Sequence, residues 1–308
     1  MHEKHTNNQL SQMDDELNLH ELFNVLFQGK WIILSVTSFV SILGVIYSLS
    51  LPNIYTSKAL LVPVNPSSNI SGALGAYAGL AGMAGISLSP STDEGNSARA
   101  LKKIKSLSFF KTNIEKNIFL PNLKAVKYWN SDVNEITYDE NIYRINNNTW
   151  ADQKKPSAQE SFELFKKHIS LSEDKLTGFI TLTIKHQSPY IAKQWNDLVI
   201  DEVNTFYRTK DKSESEKAVA YLNQQILMTG LSEVKQVLAQ LQKEEIKKLT
   251  LIEANKYYVF DYIDPAAVME KKSEPRRSVI CIIISMLGGM LSILIVLVRH
   301  FFLIKKVQ

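Results

Sequence analysis

Two stretches of the chain lose the mixture of polar and apolar positions altogether. Trp31 to Leu51 and Ser278 to Val298 each run for 21 residues without a charge. At 1.5 Å rise per residue, either makes a helix of roughly 32 Å, which matches a bilayer core of about 30 Å. The pattern predicts transmembrane helices at 31–51 and 278–298, tails at 1–30 and 299–308, and one large domain at 52–277.

Elsewhere the periodicity is that of an α+β protein. Leu19, Leu22, Phe23, Leu26 and Phe27 recur at helical spacing before the first span. They read either as an amphipathic helix on the membrane surface or as an extension of the span. Tyr55 to Val64 has strand composition, with Pro63 fit for an edge or a strand end. Ser157 and Glu160 form a capping-box pattern ahead of Phe162, Phe165 and Ile169. Lys175 to Lys185 alternates, with Leu176, Ile180, Leu182 and Ile184 on one side, and predicts a strand. Ser188-Pro189 is a helix start. Ile191, Trp195, Leu198, Val199, Glu202 and Phe206 then share a face.

Between about Asp211 and Tyr258 there is no proline and one glycine, Gly230. Leu227, Leu231, Val234, Leu238 and Leu241 step by heptad intervals, a candidate oligomer face. An unbroken helix over 211–258 would be roughly 70 Å long. A turn at Thr229-Gly230, giving two antiparallel helices, is the alternative. Residues 70–88 (ISGALGAYAGLAGMAGISL) hold five of the protein's 12 glycines. They suit either close packing near a membrane or a flexible loop.

Charge excludes more than it suggests. Lys+Arg number 35 and Asp+Glu 31, which gives no footprint for nucleic acid. Acidic residues in the first 30 positions and the length of the first apolar run argue against a cleaved signal peptide. Basic residues flank both sides of both spans, so they do not orient them, and a long loop crosses regardless of charge. The single cysteine, Cys281, permits no internal disulfide. The glycine-rich segment lacks the Lys-Ser/Thr of a phosphate loop, and no His-x-x-x-His, Cys-x-x-Cys or Gly-x-Ser-x-Gly occurs. No catalytic, cofactor or metal residue is assigned. Ten residues after the second span leave no room for an output or kinase domain.

The chain resembles the polysaccharide co-polymerase family, the Wzz-type chain-length determinants of lipopolysaccharide O-antigen. The segments DDELNLHELFNVLFQGKWII, NIYTSKALLVP, GALGAYAGLAGMAGISL, ARALKKIKSLSFFKTNIEKNIFLP and TGFITLTIKHQSPYIAKQWNDLVIDEVN carry the likeness. So does a proline-rich stretch leading to Pro-Lys, eleven residues and Gly-Gly-Met. Here Pro265 opens it, Pro275-Arg276 stands for Pro-Lys, and Gly288-Gly289-Met290 completes it. Val268 replaces a usual proline, Ser273-Glu-Pro275 is one residue longer than the family's Ser-Pro, and Leu-Ser-Ile-Leu stands after Gly-Gly-Met where small residues are usual.

The resemblance implies an inner-membrane protein with both termini cytoplasmic. Its periplasmic domain would be an α/β base with a long projecting helix. Protomers would form a ring-like homo-oligomer beside the O-antigen polymerase, with the lipid-linked polysaccharide as a further partner and no enzymatic activity. Gly288, Gly289 and Met290 are then candidates for transmembrane packing, and Pro265, Pro275 and Arg276 for the motif before the span. A two-span periplasmic sensor, a membrane-anchored polysaccharide-binding protein and a membrane-anchored hydrolase are the rival classes.

Overall fold

The computed structural model describes residues 19–64, 96–151 and 154–304. The glycine-rich segment 70–88 lies outside them. The chain divides into two compact units, Pro52–Glu274 and the two chain ends that flank it.

In the central unit a four-stranded antiparallel sheet has the order β6-β7-β1-β8, with β1 at Tyr55–Pro63, β6 at Ile169–Glu173, β7 at Ile180–His186 and β8 at Phe260–Asp264. β1 is central, and Pro63, which has no N–H to give a ladder, is its last residue. Alternation along β7 buries Ile180, Leu182, Ile184 and His186 on one face. That face is covered by α5 (Ala158–His168) and the first half of α6 (Pro189–Met228). Phe162, Phe165, Trp195 and Val199 enter the same core.

The capping box forms as expected. Ser157 Oγ accepts from Glu160 N at 3.2 Å, and Glu160 Oε2 accepts from Ser157 N at 2.9 Å. Ser188 caps α6, and Pro189 occupies its first turn, where a missing N–H costs nothing. The strand expected from Lys175 begins only at Ile180. Asp174 closes a turn instead: its carboxylate accepts from Leu176 N and Thr177 Oγ1 at 2.9 and 2.8 Å. Gly178 takes φ +71°, and Leu176 is 96 % exposed.

Smaller pieces complete the unit. α3 is Asn96–Ile104, and an irregular helical run follows from Leu107 to Asn117, including a π turn at Phe110–Ile114. A short α4 (Pro121–Lys124) precedes two ribbons, β2–β3 (Val126–Asn130, Glu135–Tyr138) and β4–β5 (Tyr143–Arg144, Thr149–Trp150).

The long helix differs from the 211–258 reading. It starts at Pro189, runs 40 residues to Met228, and is followed after Gly230 by α7 (Ser232–Ala254). The turn at Thr229-Gly230 is therefore the alternative that forms. α6 alone is roughly 60 Å long at 1.5 Å per residue. α7 folds back along it, with Leu222 of α6 and Leu238 and Leu241 of α7 buried between them.

Candidate functional site

The chain-end unit is built from α1 (Leu19–Gln28), α2 (Lys30–Ser50) and α8 (Arg277–Ile304). α2 and α8 are both long and apolar enough to cross a membrane. Their most apolar stretches are 11 % and 17 % buried within the protein, which sets them apart from the core helices of a soluble domain. Gly29 separates α1 from α2 at φ −82°, ψ 1°, so the amphipathic segment is a helix of its own. It turns Val25 inward and leaves Phe23 and Phe27 exposed.

α2 and α8 pack by small residues, each facing a branched one. A Cβ added at Gly44 would stand 2.6 Å from Ile284 Cγ2, at Gly29 2.5 Å from Val296 Cγ1, and at Gly288 2.9 Å from Val40 Cγ1. Such spacing admits no side chain without moving the helices apart. Hydroxyls lie along the same seam: Ser41 and Ser285 oxygens are 2.9 Å apart, Thr37 and Ser292 oxygens 3.3 Å. Ser41 gives its proton to Thr37 O at 2.8 Å, so its oxygen accepts from Ser285. Ser292 gives its proton to Gly289 O at 2.7 Å and accepts from Thr37. Ser48, 1 % exposed, continues the row.

The candidate residues thus separate. Gly288 lies in the seam, nothing stands within 4 Å of a Cβ built at Gly289, and Met290 is 67 % exposed. Gly29, Gly44 and the four paired hydroxyls were not picked out by the sequence motif. For Gly44, Ser41, Ser285 and Ser292 the signal is a matched spacing, with Ser41, Gly44 and Ser48 on one helix and Ser285, Gly288 and Ser292 on the other, whereas Gly29 and Thr37 fall outside it.

The heptad series is not one face either. Val234, Leu238 and Leu241 lie against α6, whereas Leu227 and Leu231 are 78 % and 63 % exposed beside the turn. The turn interrupts the period, so the first two residues no longer share a helix axis with the rest.

In the segment ahead of α8, Pro265 follows β8 directly and the chain then returns to the start of β1, where Ser273 N donates to Ile54 O at 2.8 Å. Pro275 and Arg276 precede α8. Arg276 O accepts from Val279 N at 3.0 Å and Ile280 N at 3.2 Å, opening the first turn of the helix.

Among the described residues no group of three or more His, Cys, Asp or Glu is arranged for a metal. The buried histidines have structural partners. Ser188 N donates to His186 Nδ1 at 2.9 Å, so Nε2–H donates to Asn122 O at 3.0 Å. Burial holds His186 neutral and lowers its pKa to about 4. His168 is shifted down for the same reason.

Residues 15–111 match the family model described as Wzz, chain length determinant protein. The match runs through α1, α2, β1 and α3, and it is the family to which the sequence motifs pointed. No curated protein sequence matches the chain. Two solved structures are similar in outline. One is a full-length bacterial polysaccharide co-polymerase, with 15 % identity and TM-score 0.41 over 92 % of this chain and 97 % of that one. The other is a fragment of WzzB, a polysaccharide co-polymerase from Salmonella Typhimurium, with 12 % identity and TM-score 0.29 over 72 % of this chain and 100 % of that one. Both superpositions are loose, so the family match rests on residues 15–111.

Proposed function

We propose that this protein is a polysaccharide co-polymerase that sets the length of O-antigen chains and catalyses no step itself. The observation that carries the reading is the match of residues 15–111 to the chain length determinant family. The paired apolar helices α2 and α8 support a membrane protein of two spans. On this reading it lies in the inner membrane with both ends cytoplasmic and residues 52–277 periplasmic. It works as a ring of copies beside the O-antigen polymerase, which extends a lipid-linked polysaccharide.

A protein of this kind acts by placement. The α2–α8 seam gives the membrane part a fixed shape, and Gly289 and Met290 offer an uncovered strip for a neighbouring helix. The α6–α7 hairpin supplies length in the other unit. Deleting the gene and separating the surface lipopolysaccharide by electrophoresis tests the function. Modal banding is expected to collapse to an unregulated ladder and to return with the gene. An unchanged ladder in the deletion strain refutes the reading.

A further inference from the structure

The ring reading leaves open which surfaces of neighbouring copies meet, and α6 carries an answer on its two shoulders. At 100° per residue, the buried residues Trp195, Val199, Ile200, Val203 and Asn204 turn toward the sheet. Asp197 and Asp201 fall on one shoulder, and Glu202 and Phe206 on the other.

Beyond the Phe206 shoulder lie α3 and the irregular run after it. Phe109 meets Phe206 at 6.1 Å between ring centroids, Lys103 Nζ sits 4.7 Å from the same ring, and Asn113 donates to Glu202 at 3.1 Å. Residues 96–117 contain six basic side chains and one acid, Glu115, so with Glu202 of α6 this side still holds six bases against two acids. Lys105 and Lys111 among them are exposed.

Beyond the Asp201 shoulder lies the edge strand β8. Arg208 joins this shoulder to the chain ahead of β8 by donating to Asn255 O at 2.5 Å and to Lys256 O. Here Asp197, Asp201, Asp261 and Asp264 stand against Lys193, Lys256 and Arg208. Lys193 Nζ is 2.5 Å from Asp197 Oδ2, and Lys256 acts on both Asp201 and Asp261. Four acids against three bases leave one net negative charge, and it is felt by the groups around it. Burial raises the Tyr262 pKa and Asp197 and Asp201 push it further, while burial and then Asp197 raise that of Asp201.

The central unit therefore carries opposite charge on opposite sides of one helix. We infer that the basic side formed by residues 96–117 of one copy docks on the acidic side formed by Asp197, Asp201 and β8 of the next. Copies inserted the same way in one membrane are related by rotation about its normal. More than two of them must then meet head to tail, through two different surfaces. Complementary charge on those surfaces sets the register and disfavours like-on-like pairing. The inference rests on the ring reading and adds the surfaces to it.

Charge reversal on the full-length protein in detergent tests it, with assembly size read by mass photometry and folding by circular dichroism. Asp197→Lys with Asp201→Lys, and separately Lys105→Glu with Lys111→Glu, should each raise the concentration needed for assembly by about tenfold or more. Combining all four substitutions in one chain should restore assembly. So should mixing the two double variants, which can then only alternate. Wild-type assembly should also weaken between about 0.05 and 0.5 M salt, as screening removes the attraction.

Variants that assemble like the wild type overturn the proposal, and so does a folded four-site variant that fails to recover. If a reversal misfolds, the salt series on the wild type decides alone, and a flat response overturns the proposal. Large assemblies that ignore both charge and salt would move the interface elsewhere and leave the ring intact. A wild-type chain that is monomeric at all concentrations would remove the ring itself.

Discussion

Gly288 and Gly289 are neighbours in one helix, and the same substitution at each should have opposite consequences. Leucine at either removes a glycine from a helix interior, a gain of about 1 kcal/mol on the aqueous scale. At Gly289 a Cβ meets nothing within 4 Å, so that gain stands. At Gly288 the Cβ would lie 2.9 Å from Val40 Cγ1 and 3.0 Å from its Cβ. Val40 is β-branched and has little rotamer freedom in a helix with which to retreat. Forcing extra methylenes into such a contact costs about 1–3 kcal/mol. Separating the helices also strains the Ser41–Ser285 and Thr37–Ser292 bonds, each worth about 0.6 kcal/mol in a membrane.

The two variants should therefore differ in helix pairing by about 1–4 kcal/mol. Every 1.4 kcal/mol is a factor of about ten in the effective concentration of one helix for the other. The assay is disulfide formation between Ser41→Cys and Ser285→Cys, whose oxygens start 2.9 Å apart, with Cys281→Ser removing the native thiol. The rate of bond formation should fall by about fivefold or more with Gly288→Leu and hold with Gly289→Leu. Equal rates in the two backgrounds, or a loss confined to Gly289→Leu, would refute the account of the seam.

Three further outcomes are expected. Leu238→Ala and Leu241→Ala should each destabilise the α6–α7 hairpin by about 2–5 kcal/mol, whereas Leu227→Glu with Leu231→Glu, at exposed positions, should leave the urea midpoint nearly unchanged. Ser157→Ala should cost about 1 kcal/mol by breaking the capping box, measured as a lowered Tm. His186 is neutral in the fold with its pKa lowered to about 4, so the unfolded chain takes up a proton first as pH falls from 6.5. Stability should drop by up to about 3 kcal/mol between those values and then level off. His186→Leu should flatten that part of the urea-unfolding profile, and an unchanged slope would place the titration elsewhere.

The sequence carried the apolar runs, the capping box and the Ser188-Pro189 start because each is a local rule with a local cause. Alternation alone extends the strand across the turn at Asp174–Gly178, because Leu176 keeps the period of Ile180 and Leu182. Only a positive φ at Gly178 and the Asp174 side-chain bonds reveal the break. The first half of α6 was not joined to the second because RTKDKSESEK, residues 208–217, has no apolar stripe to follow. The seam was half legible. Gly288-Gly289 is visible as a pair in the sequence, yet which glycine faces a neighbour depends on helix rotation, and that is set by the partner helix.

Asn204 gives the hairpin a mechanical character. Its Oδ1 accepts from the N–H groups of Tyr258, Val259 and Phe260 at 3.3, 2.7 and 3.0 Å, and its Nδ2 donates to Phe260 O at 3.0 Å. Nearby, Tyr258 Oη donates to Asp211 Oδ2 at 2.6 Å. The outgoing and returning legs are thus clamped together at their root, and the stretch from Asp211 to Met228, about 26 Å at 1.5 Å per residue, is free of that clamp. The hairpin is a cantilever. A sideways load at Leu227 or Leu231 cannot be absorbed by splaying the root, so it arrives as torque on Phe260 and the strand it begins.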